Sequence, residues 1–295
     1  MNSKLENLNL KIGNYTLHPI PTGEFGLDGG AMFGTVPKVL WEKAIPADEK
    51  NRIPMEARAL LLKSDGSNIL IDCGNGGDYV AKYGDKLGHQ FESMYNISSE
   101  GPNLKKSLAK FGIKPEDIHH VIFSHLHFDH CGGGTEFRDG KIKATFPNAK
   151  YYVQKSNYET AIKPNRRERA SYLQANFQCL IEDGTLQLID GAKENLLPNI
   201  SVRISDGHTQ GQQVIIISDD KKGIVYCADL VPTSAHVKLA WVMGYDLNPL
   251  KIIEEKQQLL SEVAAKNWYL FFEHDPVVDI SQIIDKGHDF ALKEF

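Results

Sequence analysis

Three histidines and an aspartate lie within six residues of the chain, directly after a short apolar stretch. Residues 121–123 (Val-Ile-Phe) have the character of a β-strand, and the polar cluster follows after Ser124. Neutral imidazole and carboxylate groups are good ligands for zinc, iron, manganese and cobalt. A single histidine is usually a core or surface residue, but with 11 histidines in 295 residues packing does not explain this concentration. The cluster predicts a metal site with the candidate ligands His125, His127, Asp129 and His130.

The spacing within the cluster indicates more than one metal ion. If His125 leaves the end of a strand, the two-residue period of a strand points His127 to the same side. A loop after Phe128 then turns Asp129 and His130 toward a second ion about 3.5–4 Å from the first. A two-metal site needs more ligands than one loop provides, so others must come from elsewhere in the chain.

Composition favours a globular protein that acts on a small molecule. At 295 residues and 41% hydrophobic composition, the chain can bury the core of one large domain or of two fused halves. The net charge of -5 is spread without long blocks, which disfavours nucleic acid or an anionic membrane as the main partner. The first eight residues lack the apolar core of a signal peptide, and no apolar run reaches membrane length. We therefore expect a soluble, cytoplasmic protein that does not bind a membrane.

The four cysteines are dispersed and include no Cys-x-x-Cys pair. Neither a disulfide framework nor a cysteine zinc site is indicated. Cys131 directly follows His130, and it is either a further ligand or a small buried filler; the crowded loop favours the filler.

Apolar runs and turn residues predict two sheet-and-helix halves that are joined around residues 155–180. In the first half, residues 59–63 and 68–72 predict a hairpin, and residues 103–111 predict a helix that ends at Gly112. In the second half, residues 214–218 and 224–227 predict a second hairpin. A helix from Asn248-Pro249 to about Ala265 and a strand at 268–272 follow. Residues 158–180 are either helices with a solvated face or a lid over the site.

Three further candidate ligands follow apolar strands. His208 lies in a glycine-flanked turn before the strand at 214, Asp229 follows the run 224–227, and His274 follows the run 268–272. Ligands at strand ends can converge at one rim of a sheet while the strands hold them rigidly. Each of these residues alone has an ordinary explanation as a turn or cap, but together with the cluster they extend the predicted metal site.

The motif His125-x-His127-x-Asp129-His130, followed in order by Gly207-His208-Thr209, Asp229 and His274, resembles that of the metallo-β-lactamase superfamily. The resemblance spans nearly the whole chain. It implies a single domain over residues 1–295 with a four-layer αβ/βα sandwich of two mixed sheets and outer helices. It also implies that His125, His127 and His208 hold one metal ion, that Asp129, His130 and His274 hold a second, and that Asp229 bridges them. Asp72 matches an early strand-end aspartate of the family, whose role is to orient a metal ligand.

Two further segments resemble one branch of that superfamily. Residues 27–41 and 228–236 are similar to those of N-acyl-homoserine lactonases and methyl parathion hydrolase. His127 stands where the diiron flavoproteins have glutamate, and the bridging Asp229 is absent from true β-lactamases. The chain also has no obvious basic C-terminal segment of the kind that glyoxalase II uses. Some lactonases have a tyrosine three residues after the bridging aspartate, where this chain has Pro232, and His236 is a candidate replacement for its polar role.

The resemblance implies a dinuclear metal hydrolase, with two divalent ions that are most typically zinc, or else iron, manganese or cobalt. A metal-bridged hydroxide would attack a lactone or related ester, and Asp129 would carry a proton to the leaving oxygen. A quorum-quenching lactonase is the first hypothesis, and a phosphotriesterase or thioesterase is the alternative enzyme. A metal-binding, ligand-sensing module is the non-enzymatic alternative, and a homodimer is compatible with the sequence. Phe25, Met32, Phe33 and Trp41 are candidate pocket residues, although core packing is the favoured explanation for each of them, and His236 is a further candidate.

Overall fold

The computed structural model describes residues 4–97 and 103–293, which form two seven-stranded sheets, a two-stranded sheet and helices. Residues 1–3 of the N-terminal segment considered above lie outside the described residues. The strands are β1 (Lys11–Ile12), β2 (Tyr15–Asp28), β3 (Arg52–Lys63), β4 (Asn68–Ile71), β5 (Ile118–Ile122), β6 (Thr135–Arg138), β7 (Lys141–Ala144), β8 (Lys150–Gln154), β9 (Leu186–Ile189), β10 (Lys193–Leu197), β11 (Ile200–Ile204), β12 (Gln213–Ser218), β13 (Gly223–Tyr226), β14 (Tyr269–Phe271), β15 (Ile280–Asp285) and β16 (Phe290–Leu292).

Both large sheets are mixed, which confirms the predicted α/β class. The first has the order β1-β2-β3-β4-β5-β8-β9 and the second the order β10 to β16 in sequence, while β6 and β7 pair separately. The α-helices are α1 (Gly29–Phe33), α2 (Lys38–Trp41), α3 (Tyr79–Tyr83), α4 (Asp85–Tyr95), α5 (Leu104–Ala109), α6 (Phe128–Cys131), α7 (Lys155–Ile162), α8 (Gln178–Glu182) and α9 (Pro249–Lys266).

The chain divides into two compact units. The central unit consists of residues 18–26 and 56–190, and the terminal unit carries the segments 27–55 and 191–293 together with the N-terminal residues up to 17. The sequence predicts the join between halves around 155–180, whereas the structure changes units at Asp190–Gly191. The reason is packing, because Ala161 and Leu180 from this segment belong to the central unit's core. That residues 1–295 form a single domain stays a prediction.

In the central unit, parallel pairing brings strand ends to one edge. β4, β5, β8 and β9 pair in parallel, so their C-terminal ends lie at the same edge of the sheet. Leu70, Val121 and Val153 from three of these strands pack with Leu108 of α5 and Leu180 of α8 in one core cluster. Burial of such side chains supplies the main stabilising free energy. The chain segments that follow β4 and β5 are thereby held next to each other.

In the terminal unit, α9 creates a second parallel pair. Asn248 caps α9 by accepting a hydrogen bond from Lys251 N at 3.1 Å, and Pro249 occupies the first helical position as predicted. α9 buries Leu260 and Val263 and returns the chain so that β14 runs parallel to β13, with Tyr226 opposite Phe271. The residues that follow these two strands therefore leave the sheet at the same edge.

Most of the helices and strands predicted from the sequence are present in the structure. β3 and β4 form the first predicted hairpin, with Leu61 opposite Leu70, and β12 and β13 form the second. The helix predicted at 103–111 is α5, and Gly112 follows it with a left-handed φ of +71°. One prediction is wrong: Asp129 and His130 lie on the single helical turn α6, not in a loop. Among the helices of the described residues, none has the length and apolar character needed to cross a bilayer.

The loops after β4 and α6 lie in direct backbone contact. Gly133 N donates to Gly74 O at 3.1 Å, and Cys73 N donates to His130 O at 2.7 Å. A Cβ atom at Gly132 would lie 2.1 Å from Asn75 O, a distance that the backbone cannot accommodate without moving. Only glycine at this position therefore permits the approach that keeps the metal-ligand cluster beside Asp72.

We expect Gly132→Ala to lower the free energy of unfolding by about 1–3 kcal/mol, because the added methyl overlaps a backbone oxygen. Urea denaturation of the metal-free protein measures the change. Gly66→Ala is the matched control, since its Cβ has no atom within 4 Å, and its effect should stay within about 0.5 kcal/mol. Equal stabilities of the two variants would contradict the close contact.

Candidate metal centre

Four of the candidate ligands lie in the central unit, in the residues that follow β5 in the chain. His125 and His127 follow the strand end, and Asp129 and His130 lie on α6; all four side chains are buried. The His125 ring centroid lies 4.4 Å from that of His127 and 3.9 Å from that of His130. Asp129 Oδ1 lies 3.9 Å from His130 Nε2. The structure thus brings the predicted cluster together within this unit.

Asp72 and Ser124 hold two of these imidazole rings. Asp72, at the end of β4, accepts hydrogen bonds from Ser124 N at 2.7 Å and from Ser124 Oγ at 2.6 Å. His130 Nδ1 lies 3.0 Å from Asp72 Oδ2, and His125 Nδ1 lies 3.1 Å from Ser124 Oγ. Because a carboxylate only accepts, Nδ1 of His130 carries the proton, and its Nε2 has the lone pair that a metal ligand needs.

The backbone of the cluster is fixed from a neighbouring helix. Asn157 of α7 accepts a hydrogen bond from Leu126 N at 2.9 Å, and its amide nitrogen donates to the hydroxyl of Tyr172 at 3.2 Å. The Tyr172 ring contacts the ring of His127, with a centroid distance of 4.6 Å. Asp72 itself adopts a positive φ of +54°, a conformation that few residues other than glycine, asparagine and aspartate tolerate. The ligand positions are therefore determined by side chains from three separate elements.

The terminal unit places Asp229 between two histidines. Asp229 lies in a 3-10 turn directly after β13, and its Oδ2 is 3.1 Å from His208 Nε2. Its other oxygen, Oδ1, is 3.2 Å from Nε2 of His274, which follows β14. Each carboxylate oxygen thus faces the ring nitrogen of a different histidine. This is the arrangement that a carboxylate bridging two cations requires.

A second carboxylate holds His208 from the other side. His208 Nδ1 lies 3.0 Å from Asp246 Oδ1, while Asp246 Oδ2 accepts a hydrogen bond from Met243 N at 2.8 Å. Burial alone lowers the pKa of His208, but the carboxylates of Asp229 and Asp246 outweigh burial and raise it to about 10. The surroundings of His208 therefore favour positive charge, whether it is a proton or a metal cation.

The turn that carries His208 is fixed by α9. Glu255 accepts hydrogen bonds from Asp206 N at 3.0 Å, from Gly207 N at 3.2 Å and from Ser205 Oγ at 2.8 Å. A Cβ at Gly207 would lie 2.7 Å from Ile252, so the glycine allows the turn to lie directly on the helix. Gly207, one of the two glycines that flank this turn, thus serves close packing.

The donor sets fit divalent metal ions. Two ligands about 2.0–2.1 Å from a tetrahedral zinc ion lie roughly 3.3 Å apart. The separations of Asp229 from His208 and His274, 3.1 and 3.2 Å, agree with that spacing. Imidazole and carboxylate donors suit zinc, iron, manganese and cobalt, and the Nδ1 contacts of His130 and His208 to carboxylates are those seen around metal-bound histidines.

The candidate pocket residues are almost completely buried. Phe33 of the terminal unit stacks on Trp41 at 5.3 Å and on His236 at 4.7 Å, with interplanar angles of 7° and 9°. Met32 is 1% exposed, and Phe25, which belongs to the central unit, is 3% exposed. A role for these side chains as a substrate pocket stays a prediction.

His236 uses both ring nitrogens within the protein. Its Nε2 lies 2.9 Å from Met32 O and its Nδ1 lies 2.7 Å from Thr233 Oγ1. The carbonyl only accepts, so Nε2 donates and Nδ1 accepts from the threonine hydroxyl. Burial lowers the pKa of His236 to about 4, so the ring is neutral. These contacts disfavour His236 as the replacement for the tyrosine of some lactonases.

Several residues that build the site were not identified from the sequence. Asp246 lies 38 positions from His208, whose ring it contacts, Glu255 lies 49 positions from Asp206, whose backbone N–H it accepts from, and Asn157 supports Leu126 from 31 positions away. No local spacing marks such partners. Cys131, in contrast, fits its interpretation as a filler: its buried Sγ donates to Leu126 O at 3.3 Å.

Comparisons with known proteins agree with this architecture. Residues 53–274 match the sequence model of the Metallo-beta-lactamase superfamily. An N-acyl homoserine lactonase of Bacillus cereus is 29% identical over 215 residues, which cover 71% of this chain and 72% of the relative. A probable metal-dependent hydrolase from Staphylococcus aureus superposes with a TM-score of 0.84 at 31% identity and covers 97% of this chain and 99% of its own. The structure of AidC, a dizinc quorum-quenching lactonase in complex with a product, superposes with a TM-score of 0.76 at 22% identity and covers 97% of each chain.

We expect Asp246→Asn to weaken zinc affinity about 10- to 100-fold while the protein stays folded, because His208 loses the charge that orients its ring. Competition with a chromophoric chelator measures the affinity, and thermal melting of the metal-free protein monitors folding. Asp289→Asn is the matched control, since Asp289 accepts from the backbone at Leu239 and Phe290 and contacts no candidate ligand among the described residues. Unchanged zinc affinity in Asp246→Asn would refute the orienting role.

Proposed function

The chain belongs to the metallo-β-lactamase superfamily of hydrolases, and we propose that it is a dinuclear metal hydrolase that opens lactones of the N-acyl-homoserine type. The observation that carries the proposal is the position of Asp229, with one oxygen toward His208 and the other toward His274. A bridging carboxylate is the ligand that a shared two-metal site needs. The lactonase activity of the Bacillus cereus relative supports the substrate class.

The proposed metal ligands are the seven residues that the sequence motifs indicate. His125, His127 and His208 would hold one divalent ion, Asp129, His130 and His274 would hold the second, and Asp229 would be the ligand that both ions share. The imidazole and carboxylate donors within each unit support this assignment, because they are groups that bind divalent metal ions. The ligand motifs of the family support it as well. Zinc is the first choice for both ions, because AidC is described as a dizinc enzyme. A homodimer and a cytoplasmic location stay predictions.

When bound, the two ions lower the pKa of water toward neutrality and polarise the ester carbonyl. The protein's own groups then have two tasks. Asp72 and Asp246 keep His130 and His208 in the orientation seen here, which avoids reorganisation during the reaction. Asp129 accepts one proton from the attacking water and passes it to the ring oxygen, which leaves as an alcohol, and the water's second proton goes to solvent when the new carboxylic acid ionises. No serine or cysteine nucleophile is needed.

A substrate panel with and without chelator tests the function. We expect N-hexanoyl-L-homoserine lactone to be hydrolysed with a higher kcat/KM than a simple aryl ester, a thioester or a phosphotriester. A chelator should abolish the activity and added zinc should restore it, because the proposed nucleophile is a water molecule that the metal ions activate. A clear preference for the phosphotriester or thioester would replace the lactone assignment. Turnover that survives removal of the metal would contradict the mechanism.

We expect Asp229→Ala to lower zinc content and kcat/KM together, with a loss of activity of at least about 100-fold. The substitution removes a carboxylate that faces both His208 and His274. Elemental analysis and lactone kinetics on the same preparation give both quantities, and Asp289→Asn again serves as the control. Two zinc ions per chain in Asp229→Ala would rule out the bridging role.

A further inference from the structure

The turn that carries His208 is supported both at the imidazole ring and at the backbone. The ring is held by Asp246, whose Oδ1 lies 3.0 Å from Nδ1. The backbone is held by the residues directly before α9, because Asn248 N donates to Gly207 O at 2.8 Å and Leu247 N donates to His208 O at 3.2 Å. These two bonds attach the turn to the beginning of the helix.

Glu255, further along the same helix, supplies the acceptors for the chain between β11 and His208. The N–H groups of Asp206 and Gly207 donate to its carboxylate at 3.0 and 3.2 Å, and the Ser205 hydroxyl donates to it at 2.8 Å. Donors from three consecutive residues thus converge on one carboxylate, and the last of them directly precedes His208. Ser205 and Gly207 are buried, so a donor left unpaired here would be costly.

The acceptor is a carboxylate, although the turn itself requires only hydrogen-bond acceptors. A neutral oxygen can also accept from an N–H group, and it avoids the cost of bringing a charge into a partly buried position. Charge-assisted hydrogen bonds are about twice as strong as neutral ones, so the carboxylate holds the turn more firmly. Ile252 restricts the turn from the same helix, because a Cβ at Gly207 would lie 2.7 Å from its side chain. The turn therefore has little freedom to move relative to α9.

We propose that Glu255 is a positioning residue for His208, and that it raises the zinc affinity of the centre by fixing the backbone from which the imidazole ring extends. The inference rests on the proposed function, in which His208 is a metal ligand. The ring has to keep Nε2 3.1 Å from Asp229 Oδ2 while Nδ1 stays beside Asp246. A shift of the turn on α9 changes both distances together, and a metal site needs its ligands held within about 0.5 Å.

The first test measures the zinc affinity of Glu255→Gln. Glutamine keeps one acceptor oxygen and replaces the other by an NH2 group, which cannot accept from the donors of the turn. We expect zinc affinity, measured by competition with a chromophoric chelator, to fall about 10-fold. Glu254→Gln is the matched control, because it makes the same chemical change at the preceding, exposed position of α9. Its zinc affinity should stay within about twofold of wild type.

Leu260→Ala separates positioning from stability. Leu260 lies on α9 five residues after Glu255, and its side chain is buried in the core cluster of the terminal unit. We expect this substitution to lower the Tm of the metal-free protein more than Glu255→Gln does, while zinc affinity stays within about twofold of wild type. An equal loss of zinc affinity in Leu260→Ala and Glu255→Gln would overturn the positioning role.

A double-mutant cycle tests whether Glu255 acts through His208. In Asp246→Asn the ring has already lost its own support, so adding Glu255→Gln should lower zinc affinity by no more than about threefold further. A further loss of the full 10-fold would mean that the two residues act independently and would contradict the proposal. Wild-type zinc affinity in Glu255→Gln alone would contradict it as well.

Ser205→Ala is the milder variant that decides the matter if Glu255→Gln does not fold. It removes one of the three donors and keeps both backbone bonds to Glu255, and we expect zinc affinity to fall about threefold. In that case wild-type affinity in Ser205→Ala overturns the proposal. Zinc binding by the wild-type protein without lactone hydrolysis would overturn the proposed substrate alone, whereas a wild-type protein that binds no zinc would overturn both proposals.

Discussion

Buried carboxylate–imidazole pairs are the interactions on which the candidate site depends. Asp72 pairs with His130 in the central unit, and Asp246 pairs with His208 in the terminal unit. Burying an ionised carboxylate is costly unless hydrogen bonds or opposite charge compensate. Each of these aspartates contacts an imidazole and accepts from a backbone N–H, that of Ser124 or of Met243, and Asp72 also accepts from the Ser124 hydroxyl. The same pairs that make burial tolerable also fix the rings for metal binding.

Strand topology explains how residues far apart in sequence reach these positions. A parallel pair needs a crossover: α3, α4 and α5 lie in the connection from β4 to β5, and α9 lies in the connection from β13 to β14. Each crossover returns the chain to the same edge, so the residues after both strands become neighbours. Asp72 thus meets Ser124 and His130, and Asp229 meets His274. Hydrophobic packing of the helices determines the topology. That topology places the polar residues at the strand ends next to each other.

The sequence was sufficient to predict the hairpins, α9 and the α/β class, because hydrophobic periodicity and turn residues are local signals. It also indicated seven candidate ligands, since histidine and aspartate at strand ends are conspicuous. It did not identify Asp246 or Asn157. Their contacts depend on tertiary packing, in which a residue on one element meets a distant loop. Asp129 and His130 were expected in a loop because the short turn α6 has no periodicity of its own to detect.

Two buried lysines show that the loops themselves, and not only the ligands, require polar support. Lys82 Nζ donates to Gly132 O at 2.8 Å and to Thr135 O at 3.3 Å, directly after the metal-ligand cluster. Lys256 of α9 donates to the carbonyls of Lys238, Leu239 and Trp241, in the segment that leads to Asp246. Burial lowers the pKa of Lys82 to about 8 and of Lys256 to about 7. An apolar residue would avoid that cost but leave buried carbonyl groups unpaired. Irregular backbone beside a buried site therefore requires hydrogen-bond donors for its carbonyl groups. A lysine ammonium group supplies several such donors from one position.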